Sequence, residues 1–269
     1  VSISFDLERD PPTINRGQIS FKGVENTPMI LDVLERHNVR GTFFVTGRVV
    51  DLYPGIVEEI YRRGHEVAVH GGYYHDSPIR TLPKGEQRGV ILDTVTRIEK
   101  VSGRRPLGYR APGHLIGRDT ILVLEELGFV YDSSVVPSVL GKLLYDHALS
   151  SPDFPYHPSS ENPFTVGEMR LKEIPLTCVF LNGNLDTLLA YQGEIITKLE
   201  LLLAVFRCKV ARKPLVVYLH PGLMVDLPNE SQKYRYGEYL IRKFDDILYF
   251  LDGLNVKYIT LEEIAVEFQ

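Results

Sequence analysis

The 269-residue sequence predicts an α/β protein with a mainly parallel sheet and helices outside it, as a closed barrel or a doubly wound sheet. Three observations carry that prediction. Strand-like runs alternate with stretches whose apolar residues recur at helical spacing. Titratable or hydrogen-bonding residues follow directly after five of those runs, where parallel folds collect their ligands. The length suits one barrel of ~250 residues or two modest domains. No fixed-period repeat or low-complexity linker divides the chain, so one domain over 1–269 is expected.

In chain order, the strand-like runs are 1–5, 41–45, 65–70, 129–131, 170–175, 215–219 and 257–260, rich in β-branched or aromatic residues, with a further run at 107–109. Between them, Met29, Ile30, Val33 and Leu34 share one helical face. Ile56, Val57 and Ile60 share a second, and Val90, Ile91, Val95 and Ile98 a third. Ile121, Leu122 and Leu124 continue the series, followed by 185–206 and 240–251. Gly128 and Gly253 read as helix stops. The irregular stretch is 137–165, rich in Pro, Ser, His and Tyr. A connection this long reads as a functional loop or lid rather than a linker.

Composition narrows the function classes. Apolar residues at 44% and charged residues at 24% exclude a disordered chain, a collagen-like repeat and a coiled coil. The longest apolar-rich stretch, 199–206, contains Glu200 and falls far short of the ~20 residues of a membrane span. A net charge of -5, from 30 basic and 35 acidic residues, gives no wholesale attraction for nucleic acid. Cys178 and Cys208 sit in no metal-ligand spacing and read as packed thiols. The chain opens on a strand-like run without a basic segment and apolar core of the signal-peptide type. The expectation is a cytoplasmic protein, although a mature or trimmed chain would open in the same way.

Several strand ends carry the chemistry. Asp6 and Glu8 lie two apart at a strand end and so share a face. Two close carboxylates suit a general base beside a metal ligand, or else a solvated acidic loop that Arg9 and Asp10 continue. His70 and His75 flank a short loop, Gly71-Gly72-Tyr73-Tyr74, after another strand. Two imidazoles with one carboxylate can form a facial metal triad with open positions for water and substrate. His65, on the strand itself, reads as structural. Arg110, at the rigid turn Arg110-Ala111-Pro112-Gly113, can hold a carboxylate ionised and oriented. His220, delivered by an apolar strand and followed by Pro221-Gly222, is a candidate general acid.

Taken jointly and in this order, Asp6, His70, His75, Arg110 and His220 make the chain resemble the polysaccharide deacetylase (NodB-homology) carbohydrate esterases. Gly41-Thr42-Phe43-Phe44-Val45-Thr46-Gly47, Asp132-Ser133-Ser134, Glu173-Ile174-Pro175 and Leu219-His220-Pro221 are similar to further family stations. The resemblance implies a distorted (β/α) barrel of about seven parallel strands and a metal-dependent hydrolase of N-acetyl groups. It implies Asp6 as base, His220 as acid and Arg110 as the residue orienting the base. Glu8, His70 and His75 would hold a divalent metal, expected to be zinc, with Gly113, Asp132 and Tyr156 toward the substrate. Two departures stand out: Glu8 replaces the usual Asp, and one extra residue separates the histidines, absorbed by Gly71 and Gly72. The variants look closer to the peptidoglycan-deacetylase-like branch, which also includes cyclic-imide hydrolases.

The expected function is therefore hydrolysis of non-peptide C–N bonds, with deacetylation of an N-acetylated sugar or polysaccharide leading. A cyclic imide or ureide amidohydrolase and a non-catalytic carbohydrate-binding relic are the alternatives. The expected partner is a carbohydrate or small amide substrate, with no nucleic acid and no membrane, and a homo-oligomer is left open. Loop 137–165 is expected to cover the site, its Tyr145, His147, Phe154, Tyr156 and His157 either stacking on a sugar ring or packing the loop down.

Overall fold

A computed structural model describes residues 1–12, 17–75, 79–137, 151–177, 185–225 and 237–267. Seven strands form one parallel sheet: β1 (Ser2–Leu7), β2 (Thr42–Val45), β3 (Glu66–His70), β4 (Gly108–Arg110), β5 (Tyr131–Asp132), β6 (Lys172–Glu173) and β7 (Val216–Leu219). The spatial order is β6-β5-β4-β3-β2-β1-β7, so the chain steps outward strand by strand and then returns to the far side of β1. Thr177 narrows the remaining gap. Its N–H donates to Val216 O (2.8 Å), and its Oγ1 accepts from Val216 N (2.9 Å). The result is the distorted (β/α) barrel expected from the sequence.

Alternation along each strand divides the core in two. Ile3, Phe5 and Leu7 of β1, Phe43 and Val45 of β2, and Val67 and Val69 of β3 face outward onto the helices and join the larger cluster. Helices α1 (Lys22–Glu25), α2 (Thr27–Arg36), α3 (Gly47–Leu52), α4 (Pro54–Arg62), α5 (Lys84–Ser102) and α6 (Arg118–Glu126) connect the first five strands. Phe44, Ala68, Tyr131, Ile174, Val216 and Tyr218 belong to a second cluster inside the barrel. Ser4, Asp6, His70 and Arg110 share the inward parity, which takes them to the lumen.

The last helices close the structure. They are α7 (Leu185–Tyr191), α8 (Glu194–Ala211), α9 (Glu238–Gly253) and α10 (Leu261–Glu267). Leu261, Ile264 and Ala265 of α10 enter the inner cluster. Thr42 Oγ1 accepts from Leu261 N (3.0 Å), and Glu66 Oε2 accepts from Glu262 N (2.9 Å). Glu66 also accepts from Tyr131 Oη (2.6 Å) and Thr42 Oγ1 (2.7 Å). The end where the strands begin is thereby sealed by polar contacts over an apolar plug.

Some elements differ from the sequence expectation. Residues 257–260 are not a strand: β1 already has β2 and β7 on its two sides, so this segment only touches its start, with Ile259 N donating to Val1 O (3.0 Å). The stretch 185–206 is two helices, broken at Gly193 (φ 83°). Gly128 does stop its helix in the left-handed region (φ 79°), but Gly253 ends inside α9 and Asn255 (φ 50°) takes that conformation instead. Cys208 is a buried free thiol, while Cys178 lies outside the described residues. Among the described residues, no helix is long and apolar enough to cross a membrane.

Burial pushes the Glu66 carboxyl up to about 7, against the pull of its hydrogen bonds. The folded protein therefore holds this proton more tightly than an unfolded chain does. Stability should be greatest at the acid side of that window and fall as pH rises through about 7, by on the order of 3 kcal/mol. Thermal melts from pH 5 to 8 should show this slope, and Glu66→Gln should flatten it; an equal slope in both proteins would assign it to another group.

Candidate active site

The strands end on the polar residues. Asp6 and Arg110 meet in the lumen, where Arg110 Nη1 donates to Asp6 Oδ1 (2.7 Å). Both side chains are buried, at 3% and 0% exposure, so neither charge is screened by water. Burial alone would raise the Asp6 carboxyl; the Arg110 charge, joined by those of His70 and His220, outweighs it and holds Asp6 below the usual range. Arg110 is itself fixed from β5. Its Nε donates to Ser133 O (3.0 Å) and its Nη2 to Ser133 Oγ (3.2 Å), while the Phe44 ring lies 4.0 Å beneath the guanidinium carbon.

Glu8, two residues beyond Asp6, faces the two histidines. His70 Nε2 is 3.0 Å and His75 Nε2 2.7 Å from Glu8 Oε2. One ligand atom from each of the three lies within 4.8 Å of the others. His70 Nδ1 donates to Arg110 O (3.1 Å), which leaves Nε2 as the nitrogen turned toward Glu8. In a neutral imidazole that nitrogen is a bare lone pair aimed at a carboxylate. Such an arrangement needs a proton or a cation between the atoms, so this donor set fits a divalent metal. Burial would raise the Glu8 carboxyl, but the two histidines beside it, when charged, drive it strongly down.

The loop geometry accounts for the wider histidine spacing. Gly71 has φ 62°, and a Cβ there would stand 2.4 Å from Pro112 Cγ; at Gly72 it would stand 2.2 Å from Val90 Cγ1. Only glycine lets the loop run this close to its walls and still return His75 to Glu8. Tyr74 turns outward beneath Arg48, 5.6 Å from the guanidinium to the ring centre.

His220 follows β7, and its partner was not legible in the sequence. Asp186, in the first turn of α7, accepts from the His220 backbone N–H and lies 3.2 Å from Nδ1. Burial would lower His220, but the fully buried Asp186 carboxylate raises it to about 9. The signal was a lone acid in the apolar run Leu185-Asp186-Thr187-Leu188-Leu189, where a charge must be paired to be buried. A second unanticipated residue is His114. It is buried edge-on to Tyr218 (5.1 Å), and burial with the Arg110 charge lowers it to about 3, so it is neutral. His65, by contrast, is structural as read: its Nδ1 accepts from Gly41 N (3.1 Å).

Three substrate-side expectations come out differently. Gly113 lies in the turn Pro112–His114 beside the site, with φ 59°. Asp132 does not reach the cleft. It pairs in register with Tyr109 and Glu173 and so has the outward parity, opposite to Tyr131 and Ser133. There it accepts from Ser134 Oγ (2.6 Å), and burial raises both Asp132 and its neighbour Glu173. Tyr156 is buried, with its hydroxyl donating to Pro163 O (2.6 Å), so it cannot stack on a ligand. The described part of the long loop does not cover the site either. Phe154 lines a hollow of about 540 Å³ with Arg212, Lys213 and Ile259, at the end where the strands begin. His157 Nδ1 donates to Met169 O (2.8 Å). Tyr145 and His147 lie outside the described residues.

Comparison with known proteins finds a family likeness over the first part of the chain. Residues 3–131 match the family described as polysaccharide deacetylase. Over that segment the chain is similar to the polysaccharide deacetylase family. A peptidoglycan deacetylase of Helicobacter pylori is 32% identical over 133 residues, 49% of this chain and 44% of that protein. The chain spans under half the length of the first curated relatives it matches. Two solved structures share the fold along nearly the whole chain. A polysaccharide deacetylase structure from Mycobacterium smegmatis has TM-score 0.69 at 23% identity, covering 99% of this chain and 88% of that one. The Puue allantoinase has TM-score 0.68 at 18% identity, covering 98% and 88%. Asp6, Glu8, His70, His75 and Arg110 all fall within the matched segment. His220 and Asp186 lie beyond it.

Asp186 keeps His220 protonated to higher pH than an ordinary histidine. Asp186→Asn removes the charge while preserving shape, so the His220 titration followed by NMR should fall from about 9 by at least one pH unit. An unmoved titration would mean that Asp186 does not set the charge state of His220.

Proposed function

We propose that this chain is a metal-dependent hydrolase of non-peptide C–N bonds that removes acetyl groups from an N-acetylated sugar or polysaccharide. One observation carries the reading: a His₂–Glu donor set, a buried carboxylate–guanidinium pair and a carboxylate-backed histidine converge at the same strand ends. Residues from position 6 to position 220 contribute, and we take the chain as one catalytic unit.

Glu8, His70 and His75 would hold a divalent cation, zinc by the donor chemistry, which would supply Lewis-acid polarisation of the amide carbonyl. Asp6, kept ionised by Arg110, accepts the proton of the attacking water. Because Ser133 and Phe44 fix the guanidinium, Arg110 holds the Asp6 carboxylate in one orientation. The backbone N–H at Gly113 is suited to donate to oxygen as negative charge gathers on it. His220 donates its proton to the departing nitrogen, which would otherwise leave as a very poor amide anion. Asp186 engages Nδ1, so Nε2 is the nitrogen available to deliver it.

The decisive experiment combines metal content with substrate choice. Protein purified without added metal should carry close to one divalent ion per chain and should deacetylate an N-acetylglucosamine oligomer. Activity confined to a small cyclic imide would move the assignment to imide hydrolysis. Absence of both metal and turnover would make the chain a binding relic.

Two variants test the roles. His75→Ala should lose the metal while Tyr74→Phe keeps it, measured by elemental analysis; full metal in the His75 variant would remove it from the ligand set. His220→Ala should retain metal and lose ~100- to 10,000-fold in turnover of an amide. The loss should shrink for an activated ester, whose leaving group needs little protonation. Equal losses on both would mean that His220 shapes the pocket rather than donating a proton. Since His220 must be protonated, turnover should hold at neutral pH and decline as pH rises through about 9.

A further inference from the structure

Helix α8 has two apolar faces. One packs on the core through Leu201, Ala204, Val205 and Cys208. The other presents Ile195, Leu199, Leu202, Leu203, Phe206 and Val210, each between 41% and 85% exposed. At ~100 Å² a side chain this is roughly 600 Å², the upper end of the largest patch on a typical monomer and approaching the ~800 Å² per partner of a standard interface.

The pattern of these six residues is mirror-symmetric, while Ile196, exposed at the edge of the stripe, mirrors Lys209. Ile195 and Val210, Leu199 and Phe206, and Leu202 and Leu203 lie at equal distances from the midpoint between 202 and 203. A contact about a two-fold axis needs one surface that matches itself after rotation, and this spacing has that property. Charge points to the same arrangement. Glu194, Lys198 and Glu200 lie in the first half of the helix, Glu194 already paired with Lys198 and Lys243. Arg207, Lys209 and Arg212 follow in the second half and at its end, so the first half is net acidic and the second purely basic. Antiparallel copies set acidic against basic ends, whereas parallel copies set like against like. Glu200 Oε2 is shielded from water with no hydrogen-bond partner among the described residues, at the border of this patch. A lipid surface fits less well: the chain carries a net charge of -5, and the helix supplies no basic rim along the whole stripe.

We propose that α8 packs antiparallel against α8 of a second copy, about a two-fold axis through the Leu202–Leu203 midpoint, making the protein a homodimer. Leu203 then lies beside its own counterpart, while Ile195 lies about 22 Å from its counterpart along the axis.

Sedimentation of the full chain at micromolar concentration should give twice the chain mass. Leu199→Glu with Leu203→Glu should give the single-chain mass with unchanged circular dichroism and unchanged basal turnover. Under mild oxidation Leu203→Cys should form a covalent dimer and Ile195→Cys should not, and this comparison decides the matter if the double variant fails to fold. A monomeric wild type, a dimer surviving the double substitution, or equal cross-linking at both positions would overturn the proposal. So would a monomer that binds phosphatidylglycerol vesicles through this face, which would make it a lipid surface.

Discussion

Arg110 is a cation without contact with water, and the barrel accommodates it by occupying every direction its guanidinium faces. Asp6 on β1 takes one nitrogen, Ser133 beyond β5 takes two more, and the rings of Phe44 and Tyr218 lie against its plane. Its backbone oxygen meanwhile accepts from His70 on β3. One side chain and its carbonyl thus tie together strand ends that are distant in sequence. Removing one partner of such a buried pair costs ~3–5 kcal/mol, because a bare charge remains in an apolar lumen. The same contacts keep Asp6 ionised and set which nitrogen His70 turns toward Glu8, so the fold and the chemistry rest on one arrangement.

The barrel treats its two ends differently, with strand parity deciding what each end receives. Inward positions at the strand starts bring Thr42 and Glu66, which receive the first N–H groups of α10 over an apolar plug. Inward positions at the strand tops bring Asp6, His70 and Arg110. Glu66 and Asp6 illustrate how environment sorts carboxylates. Both are buried, but Glu66 meets only neutral donors and is raised, while Asp6 meets a guanidinium and is lowered.

Much of this was legible in the sequence. The spacing of Asp6 and Glu8, the histidines at both edges of a glycine loop, and Arg110 and His220 after apolar runs all placed polar groups at strand ends. Asp132 shows the limit of that reasoning. It also follows a strand, but Tyr131 is the inward residue, so parity turns Asp132 away from the lumen toward Glu173. Tyr156 and Phe154 were grouped by composition in one loop, yet packing buries the first and sends the second to the opposite end. Asp186 showed in the sequence only as a lone acid in an apolar run, with no spacing partner to assign its role; the approach of α7 to β7 pairs it with His220.

The choice of barrel over doubly wound sheet came from the family resemblance. By itself, the sequence determined the alternation of strands and helices and the identity of the residues that end each strand. These depend on local periodicity and on residue types that short segments carry wherever they fold. Tertiary structure alone decided which of those residues face one another. It buried Arg110 against Asp6, returned His75 to Glu8 through two glycines, and backed His220 with Asp186. It also left 257–260 outside the sheet, because both sides of β1 were already taken. Charge state follows from such neighbours and from exclusion of water, which exist only once distant segments have packed together.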